Sequence, residues 1–181
     1  MKEFNTKTLT YAAALLAICI ISQFFKNLSV YITGPIINAC LIICVLTAGL
    51  WPAIALSIIT PITSFLITGS PIMAAIPLII PCVIIGNTLL VVFVNLLKKK
   101  PDFKRGLAIS MFVGAVVKSV FMGVMISLVV IPALIPEAML PKMQVFQTTF
   151  SITQFITAVI GGALSYVIYL PLSKSLKSAE Q

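Results

Sequence analysis

One lysine stands in the middle of a long apolar run. Lys118 is the single charged residue between about residues 106 and 131. A cation in apolar surroundings is costly unless it is paired, hydrogen bonded or hydrated. The acidic residues all lie outside the apolar runs, at Glu3, Asp102, Glu137 and Glu180. Two interpretations follow. Lys118 either bonds to carbonyls and side-chain amides of neighbouring helices, or lines a water-filled pocket and meets a carboxylate, phosphate or carbonyl of a ligand.

Amide and hydroxyl residues recur in other apolar runs. Asn87 follows Gly86 near the middle of one run, and a later run carries a polar stripe at helical spacing, formed by Gln147, Ser151 and Gln154 and continued by small residues at Ala158 and Gly161. A polar stripe in apolar surroundings must face protein, water or ligand. Helix-helix hydrogen bonding is the alternative to ligand binding. Weaker candidates are Asn38, Thr60, Thr63 and Ser64, since Ser and Thr often bond to their own helix backbone.

The composition explains why these polar residues stand out. Of 181 residues, 60% are hydrophobic and 9% are charged, and the mean hydropathy is +1.18. Soluble domains are about half apolar and a quarter charged. The net charge of +8 does not indicate nucleic-acid binding, because the basic residues are confined to short segments between uncharged runs. The sequence therefore predicts an all-α integral membrane protein, in contact with the lipid bilayer.

The apolar runs divide into six predicted transmembrane helices in a single domain, residues 1–181. Their predicted bounds are about 8–26, 35–50, 53–68, 74–97, 106–131 and 145–170. The uncharged stretch of residues 35–68 is too long for one crossing of a hydrocarbon core about 30 Å thick. We divide it at Leu50-Trp51-Pro52, because proline disfavours helix at the preceding residue and suits the first turn of a new helix.

The distribution of basic residues predicts the orientation of these helices. With six spans, nine of the 12 basic residues fall on one side, namely Lys2, Lys7, Lys98, Lys99, Lys100, Lys104, Arg105, Lys174 and Lys177. Lys26 and Lys142 fall on the other side. Because short cytoplasmic loops are enriched in Lys and Arg, both termini are predicted to be cytoplasmic. The first apolar run ends at Lys26 without a small-residue cleavage site, so no cleavable signal peptide is expected.

Several function classes are disfavoured by what the apolar runs lack. They contain no acid, the chain has no histidine, and nothing matches the P-loop pattern of nucleotide hydrolysis. We therefore expect no catalytic residue, no metal site and no cofactor, and ion-coupled transport by the chain alone is disfavoured. All four cysteines lie in apolar runs, where reduced packing residues are expected: Cys19, Cys40, Cys44 and Cys82.

The first predicted helix carries a different pattern. Ala13 and Ala17 form a small-x-x-x-small pair, which allows another helix to approach closely. The pair fits packing within the bundle and fits an interface with a second protein.

Over almost its whole length the sequence resembles the S components of energy-coupling-factor (ECF) transporters. The resemblance begins with the segment Thr-Leu-Thr-Tyr-Ala-Ala-Ala-Leu-Leu-Ala at residues 8–17. It continues in motifs of glycine, proline and asparagine that recur along the apolar runs, at Gly34-Pro35-x-x-Asn38, Gly49-x-x-x-Ala53, Ser57-x-x-x-Pro61, Gly69-x-Pro71 and Gly86-Asn87. Length and six-span topology agree with it.

The resemblance implies a membrane-embedded subunit that binds a vitamin or similar micronutrient outside a prokaryotic plasma membrane. Its implied partners are a transmembrane coupling subunit and two cytoplasmic ATPases, which use the ATP. It implies that Ala13 and Ala17 contact the coupling subunit. It also implies a pocket built by Gln147, Ser151 and Gln154, with Lys118 and Asn87 at its floor.

The residue types limit the solute and leave other functions open. The chain offers few aromatic or acidic groups for a pocket, and Trp51 lies at a predicted cytoplasmic hairpin, so a neutral or anionic solute is expected and thiamin is disfavoured. Two alternatives remain. One is a membrane adaptor or assembly protein that binds no solute, and the other is a small self-assembling facilitator.

Overall fold

The computed structural model describes residues 6–25, 29–98 and 103–178, and of residues 103, 104 and 174–178 it describes the backbone only. These described ranges are helical apart from short turns and connections, and they contain no strand. Six helical stretches are long and apolar enough to cross a membrane. They confirm the prediction of an all-helical chain with six potential spans, and they indicate a membrane protein.

The helices follow one another with short connections. They are α1 (Thr6–Gln23), α2 (Val30–Thr47), α3 (Leu50–Thr68), α4 (Pro71–Ala75), α5 (Ile79–Leu97), α6 (Phe103–Met122), a π-helical segment (Gly123–Val130), α7 (Ile131–Leu134), a 3-10 helix (Glu137–Lys142), α8 (Met143–Phe150) and α9 (Ile152–Ser178). The six spans alternate in direction. One end of the bundle therefore carries α4 and α8, the α4/α8 end, and at the other, the basic end, α5 ends at Leu97 and α6 begins at Phe103.

The centre of the bundle is α2, which packs against α1, α3, α5 and α9. Its side chains from Asn38 to Val45 are all buried. A helix surrounded by other helices has no face that must remain polar or lipid-exposed. This explains why α2 is apolar around its whole circumference apart from a few small or amide side chains.

The start of the second helix differs from the prediction. We expected it near residue 35, after Gly34-Pro35, whereas α2 begins at Val30. The Ser29 side chain accepts a hydrogen bond from the Tyr31 N–H and caps the helix. Pro35 lies inside α2. One proline there removes a single N–H from the helical ladder, and the cap and the surrounding packing compensate for it.

Three of the predicted long helices are interrupted or irregular. The predicted helix of residues 74–97 is divided into α4 and α5 by Ile76, Pro77 and Leu78. The predicted helix of residues 106–131 widens into the π-helical segment. The predicted helix of residues 145–170 is broken at Ser151, whose φ of −116° and ψ of −88° are not helical. All three irregularities lie toward the α4/α8 end.

Two apolar clusters fill the bundle, one toward each end. The cluster at the basic end includes Leu41, Leu90 and Met111, and the cluster at the α4/α8 end includes Met122 and Phe150. Along α2, α5 and α6 a polar side chain occurs beside or between the residues of these clusters, at Asn38, Asn87 and Lys118. A thin polar layer therefore crosses the middle of an otherwise apolar interior.

Candidate ligand-binding cavity

The polar layer is organised around Lys118. This side chain is only 3% exposed. Its Nζ donates to Asn38 Oδ1 at 2.6 Å and to Asn87 Oδ1 at 2.8 Å. The three residues lie on α6, α2 and α5, so the lysine links three helices near the middle of the bundle. Charge-assisted hydrogen bonds of this kind are roughly twice as strong as neutral ones.

Glycines let the helices come close enough for these bonds. A Cβ on Gly161 of α9 would lie 2.6 Å from Asn38 Cβ and 2.8 Å from the Pro35 carbonyl oxygen. A Cβ on Gly86 of α5 would lie 2.8 Å from Met122 Cγ. Real Cβ atoms cannot approach so closely, so the absence of a side chain at these positions fixes the distances between α2 and α9 and between α5 and α6.

The bonding pattern determines which atoms remain for a ligand. A lysine ammonium has three hydrogens and no acceptor. It turns the oxygens of both asparagines toward itself, so each amide N–H₂ group remains for other partners. Within the described ranges, Lys118 Nζ makes two bonds, and the amide nitrogens of Asn38 and Asn87 make none. The cluster therefore presents unused donors rather than acceptors.

A cavity of about 310 Å³ lies against this cluster. It is lined by the first turns of α2, the last turns of α3, α4, the first half of α5, the C-terminal part of α6, α8 and the start of α9. Polar lining residues are Thr33, Asn38, Thr60, Ser64, Thr68, Ser70, Asn87, Lys118, Thr149 and Gln154. Since α4 and α8 belong to its lining, the cavity extends from Lys118, at mid-depth, toward the α4/α8 end. Its volume is at the lower end of the range of about 300–1,000 Å³ typical of small-ligand sites.

One wall of the cavity contains a polar atom without a partner. Thr60 is 1% exposed, and its Oγ1 makes no hydrogen bond to any described residue. The Thr60 carbonyl accepts from Gln23 Nε2 at 3.0 Å. Buried hydroxyls normally have a partner, because an unsatisfied polar atom costs about 1–3 kcal/mol. The Thr60 hydroxyl is itself buried from solvent, so it is an unsatisfied group within the wall rather than a group that the cavity exposes.

The predicted binding residues separate into two groups. Lys118, Asn87 and Gln154 all line the cavity. Gln147 and Ser151 do not: Gln147 Nε2 donates to the Ser127 carbonyl at 2.8 Å, and Ser151 Oγ donates to the Gln147 carbonyl at 2.7 Å. The Gln147 side chain therefore ties α8 to the π-helical segment, whereas the Ser151 hydroxyl bonds back to the residue four positions earlier in α8.

The structure brings Asn38, a weaker candidate in the sequence, into direct contact with Lys118. It also adds Thr33, Phe146, Thr149 and Phe150 to the cavity wall. The predicted bounds of 35–50 put Asn38 near the start of its span, whereas in α2, which begins at Val30, it lies at mid-helix, at a depth similar to that of Lys118. With the start of α2 placed correctly, depth shared by polar residues on different spans would have been a better guide than spacing along one helix.

The pair on the first helix lies outside the cavity. Ala13 and Ala17 are exposed on α1, whereas Ala12 is buried against the rest of the bundle. Packing within the described bundle therefore does not account for the pair. Contact with a coupling subunit stays a prediction.

Comparison of the chain with known protein families, with curated proteins and with solved structures finds no match. The resemblance to S components gains no support from these comparisons. The cavity and the helices that surround it are therefore the basis for a proposed function.

Proposed function

We propose that this chain is the membrane-embedded solute-binding subunit of an importer, of the ECF S-component type, and that it binds a small solute in the cavity above Lys118. The observation that carries the proposal is a buried lysine that lines a cavity of about 310 Å³ and keeps one hydrogen unused among the described residues. The α4/α8 end would face the outside of the cell, since the basic end carries the Lys and Arg excess of a cytoplasmic surface.

A role in folding alone does not explain this arrangement. A lysine that only links helices would gain most from a closed, fully satisfied network, because partly satisfied buried polar networks are costly. Here the unused donors of three side chains border one cavity. A solute that accepts hydrogen bonds would complete the network.

The closed basic half of the bundle argues against a facilitator. Below Lys118, the side chains of Leu41, Leu90 and Val91 are 0% exposed and belong to one packed cluster. Protein interiors of this kind have few voids larger than a water molecule. A solute in the cavity would have no path to the basic end without a rearrangement, so release into the cell calls for a partner that reorients or deforms the bundle.

The exposed small face of α1 supports such a partner. A helix from another subunit can approach Ala13 and Ala17 closely, as small residues allow in membranes. In the proposed importer this helix belongs to the transmembrane coupling subunit, and two cytoplasmic ATPases use the ATP. An adaptor without a solute would also use such a face, but it would need no cavity lined by unused donors.

The test is solute binding by the purified chain in lipid nanodiscs. We would identify small molecules released on denaturation by mass spectrometry and compare wild type with Lys118→Met and with Lys142→Met. Lys142 is exposed and does not line the cavity, so it controls for loss of one positive charge. The proposal predicts a stoichiometric solute that wild type and Lys142→Met retain and Lys118→Met loses. No retained solute, together with no stabilisation by a metabolite extract, would contradict it.

A further inference from the structure

The chemistry of the cavity floor limits the solute further. Resting on the proposed function, we propose that the solute is a small monocarboxylic acid, bound as the carboxylate by Lys118, Asn38 and Asn87, with an apolar body pointing toward the α4/α8 end.

The floor of the cavity presents one kind of hydrogen-bonding group. The oxygens of Asn38 and Asn87 are occupied by the lysine, which leaves N–H groups of three side chains on the cavity side. All of these groups are donors. A carbonyl or anionic group of the solute would satisfy them. A hydroxyl would use its acceptor side only, and an ammonium group would meet donors and a like charge.

The charge of the side chains that line the cavity also limits the solute. Among the described residues, every side chain that lines the cavity is uncharged except Lys118, and none of them is acidic. The described bundle therefore offers the lysine amide oxygens but no counter-charge. A buried cation without an opposite charge is stabilised most by an anion brought in with the solute. The cavity favours an anion over a neutral acceptor and disfavours a cation.

The number of negative charges distinguishes a carboxylate from a phosphate. One lysine neutralises one negative charge, and a carboxylate carries one. A phosphate monoester carries about 1.5 to 2 negative charges at neutral pH and three strong acceptor oxygens. Its second charge would be buried without compensation, since the part of the lining that the structure describes contains no arginine and no further lysine. The two oxygens of a carboxylate match a floor of one ammonium and two amides.

The walls describe the rest of the solute. Above the floor the cavity is bordered by Ile37, Pro61, Ile72, Met73 and Val83, together with Phe146 and Phe150 of α8. These side chains favour an apolar body. Nearer the α4/α8 end, Thr68, Ser70 and Thr149 add hydroxyl groups, which suit a polar group at the far end. The volume corresponds to on the order of ten water-sized units at about 30 Å³ each.

The test uses a deproteinised extract of growing cells, separated on an anion exchanger into bound and unbound fractions. The readout is the melting temperature of the purified chain in nanodiscs, with mass spectrometry of the retained compound. We expect stabilisation by the bound fraction, its loss when the carboxyl groups of that fraction are converted to methyl esters, and no effect of phosphatase treatment.

The other outcomes separate the two proposals. Stabilisation by the unbound fraction alone, or stabilisation that phosphatase abolishes, would overturn the carboxylate assignment and leave solute binding intact. Stabilisation by neither fraction would contradict the proposed function itself.

A charge-introducing variant checks the floor by a second route. Asn87→Asp keeps the side-chain shape and gives Lys118 an acidic partner. It should weaken binding of the retained compound by about tenfold or more, the equivalent of one charge-assisted hydrogen bond, because the carboxylate is then repelled. A retained compound that binds equally well to Asn87→Asp is not held as an anion, which would overturn the assignment even if Lys118→Met failed to fold.

Discussion

Lys118 Nζ lies 2.6 Å from Asn38 Oδ1, which joins α6 to the central helix α2 across 80 residues of sequence. The bond lies between the two apolar clusters of the bundle, and its donor also contacts Asn87 of α5. The same atoms hold three helices together and form the floor of the cavity. The cluster therefore has a place in helix packing as well as in the proposed binding of a solute.

Gly161 should be intolerant of a side chain. A Cβ there would lie 2.6 Å from Asn38 Cβ, whereas a Cβ on the adjacent Gly162 would lie 3.4 Å from Met111 Cβ. We expect Gly161→Ala to destabilise the chain by about 1–3 kcal/mol through overpacking and to displace Asn38 from the cavity floor. Gly162→Ala is the matched control and should change stability little. Unfolding in mixed micelles measures the difference, and equal stability of the two variants would contradict the packing described here.

Gln147 should matter for stability more than for binding. Its side-chain Nε2 donates to the Ser127 main-chain carbonyl, and its main-chain carbonyl accepts from Ser127 Oγ. Gln147→Leu should cost about 1 kcal/mol, the typical net value of one hydrogen bond, and leave solute affinity nearly unchanged. Gln154→Leu, which alters the cavity wall, should weaken binding. Calorimetric titration of both variants with the retained solute checks this, and the reverse ranking would restore Gln147 to the binding site.

The face formed by Ala13 and Ala17 should be needed for uptake and not for binding. Replacing either alanine with Trp would block close approach of a partner helix, so transport into cells should stop while the isolated subunit still binds its solute. Val120→Trp, at an exposed position of α6, controls for a bulky residue on a lipid-facing surface. If uptake and binding were lost together, the face would belong to the fold rather than to a partner.

The basic end should face the cytoplasm. Cysteines introduced singly at residues 100 and 136 test the orientation, because the four native cysteines are buried and should contribute little background. An impermeant maleimide added to intact cells should label residue 136 and not residue 100. Labelling of residue 100 from outside would reverse the bundle and turn the cavity toward the cell interior.

The fold could be predicted from the sequence further than the site. Apolar runs long enough to cross a membrane predict helices, and all six helical stretches were identified in this way. The start of α2 was misjudged because a capping serine and the tight packing of a central helix outweigh one internal proline, Pro35. The sequence of α2 alone does not show this compensation, because it comes from packing against neighbouring helices.

The polar stripe of the last predicted helix shows why the sequence did not predict all of the residues that line the cavity. Gln147, Ser151 and Gln154 share a face only if the helix is continuous. The non-helical Ser151 turns α8 relative to α9, so that Gln154 lines the cavity while Gln147 bonds to Ser127. For Lys118 the two interpretations were not exclusive, because it bonds to side-chain amides and lines the cavity at once.

The most direct test of the account is the solute affinity of Lys118→Met, measured by titration calorimetry beside wild type and Lys142→Met. One charge-assisted hydrogen bond is worth roughly 1.5–3 kcal/mol, so Lys118→Met should weaken binding by about ten- to a hundredfold. Its melting temperature without solute should change little, because the loss of two bonds is offset by removal of a buried charge. Unchanged affinity in Lys118→Met would contradict the role of Lys118 in binding, and a large loss of stability with unchanged affinity would reduce it to a link between helices.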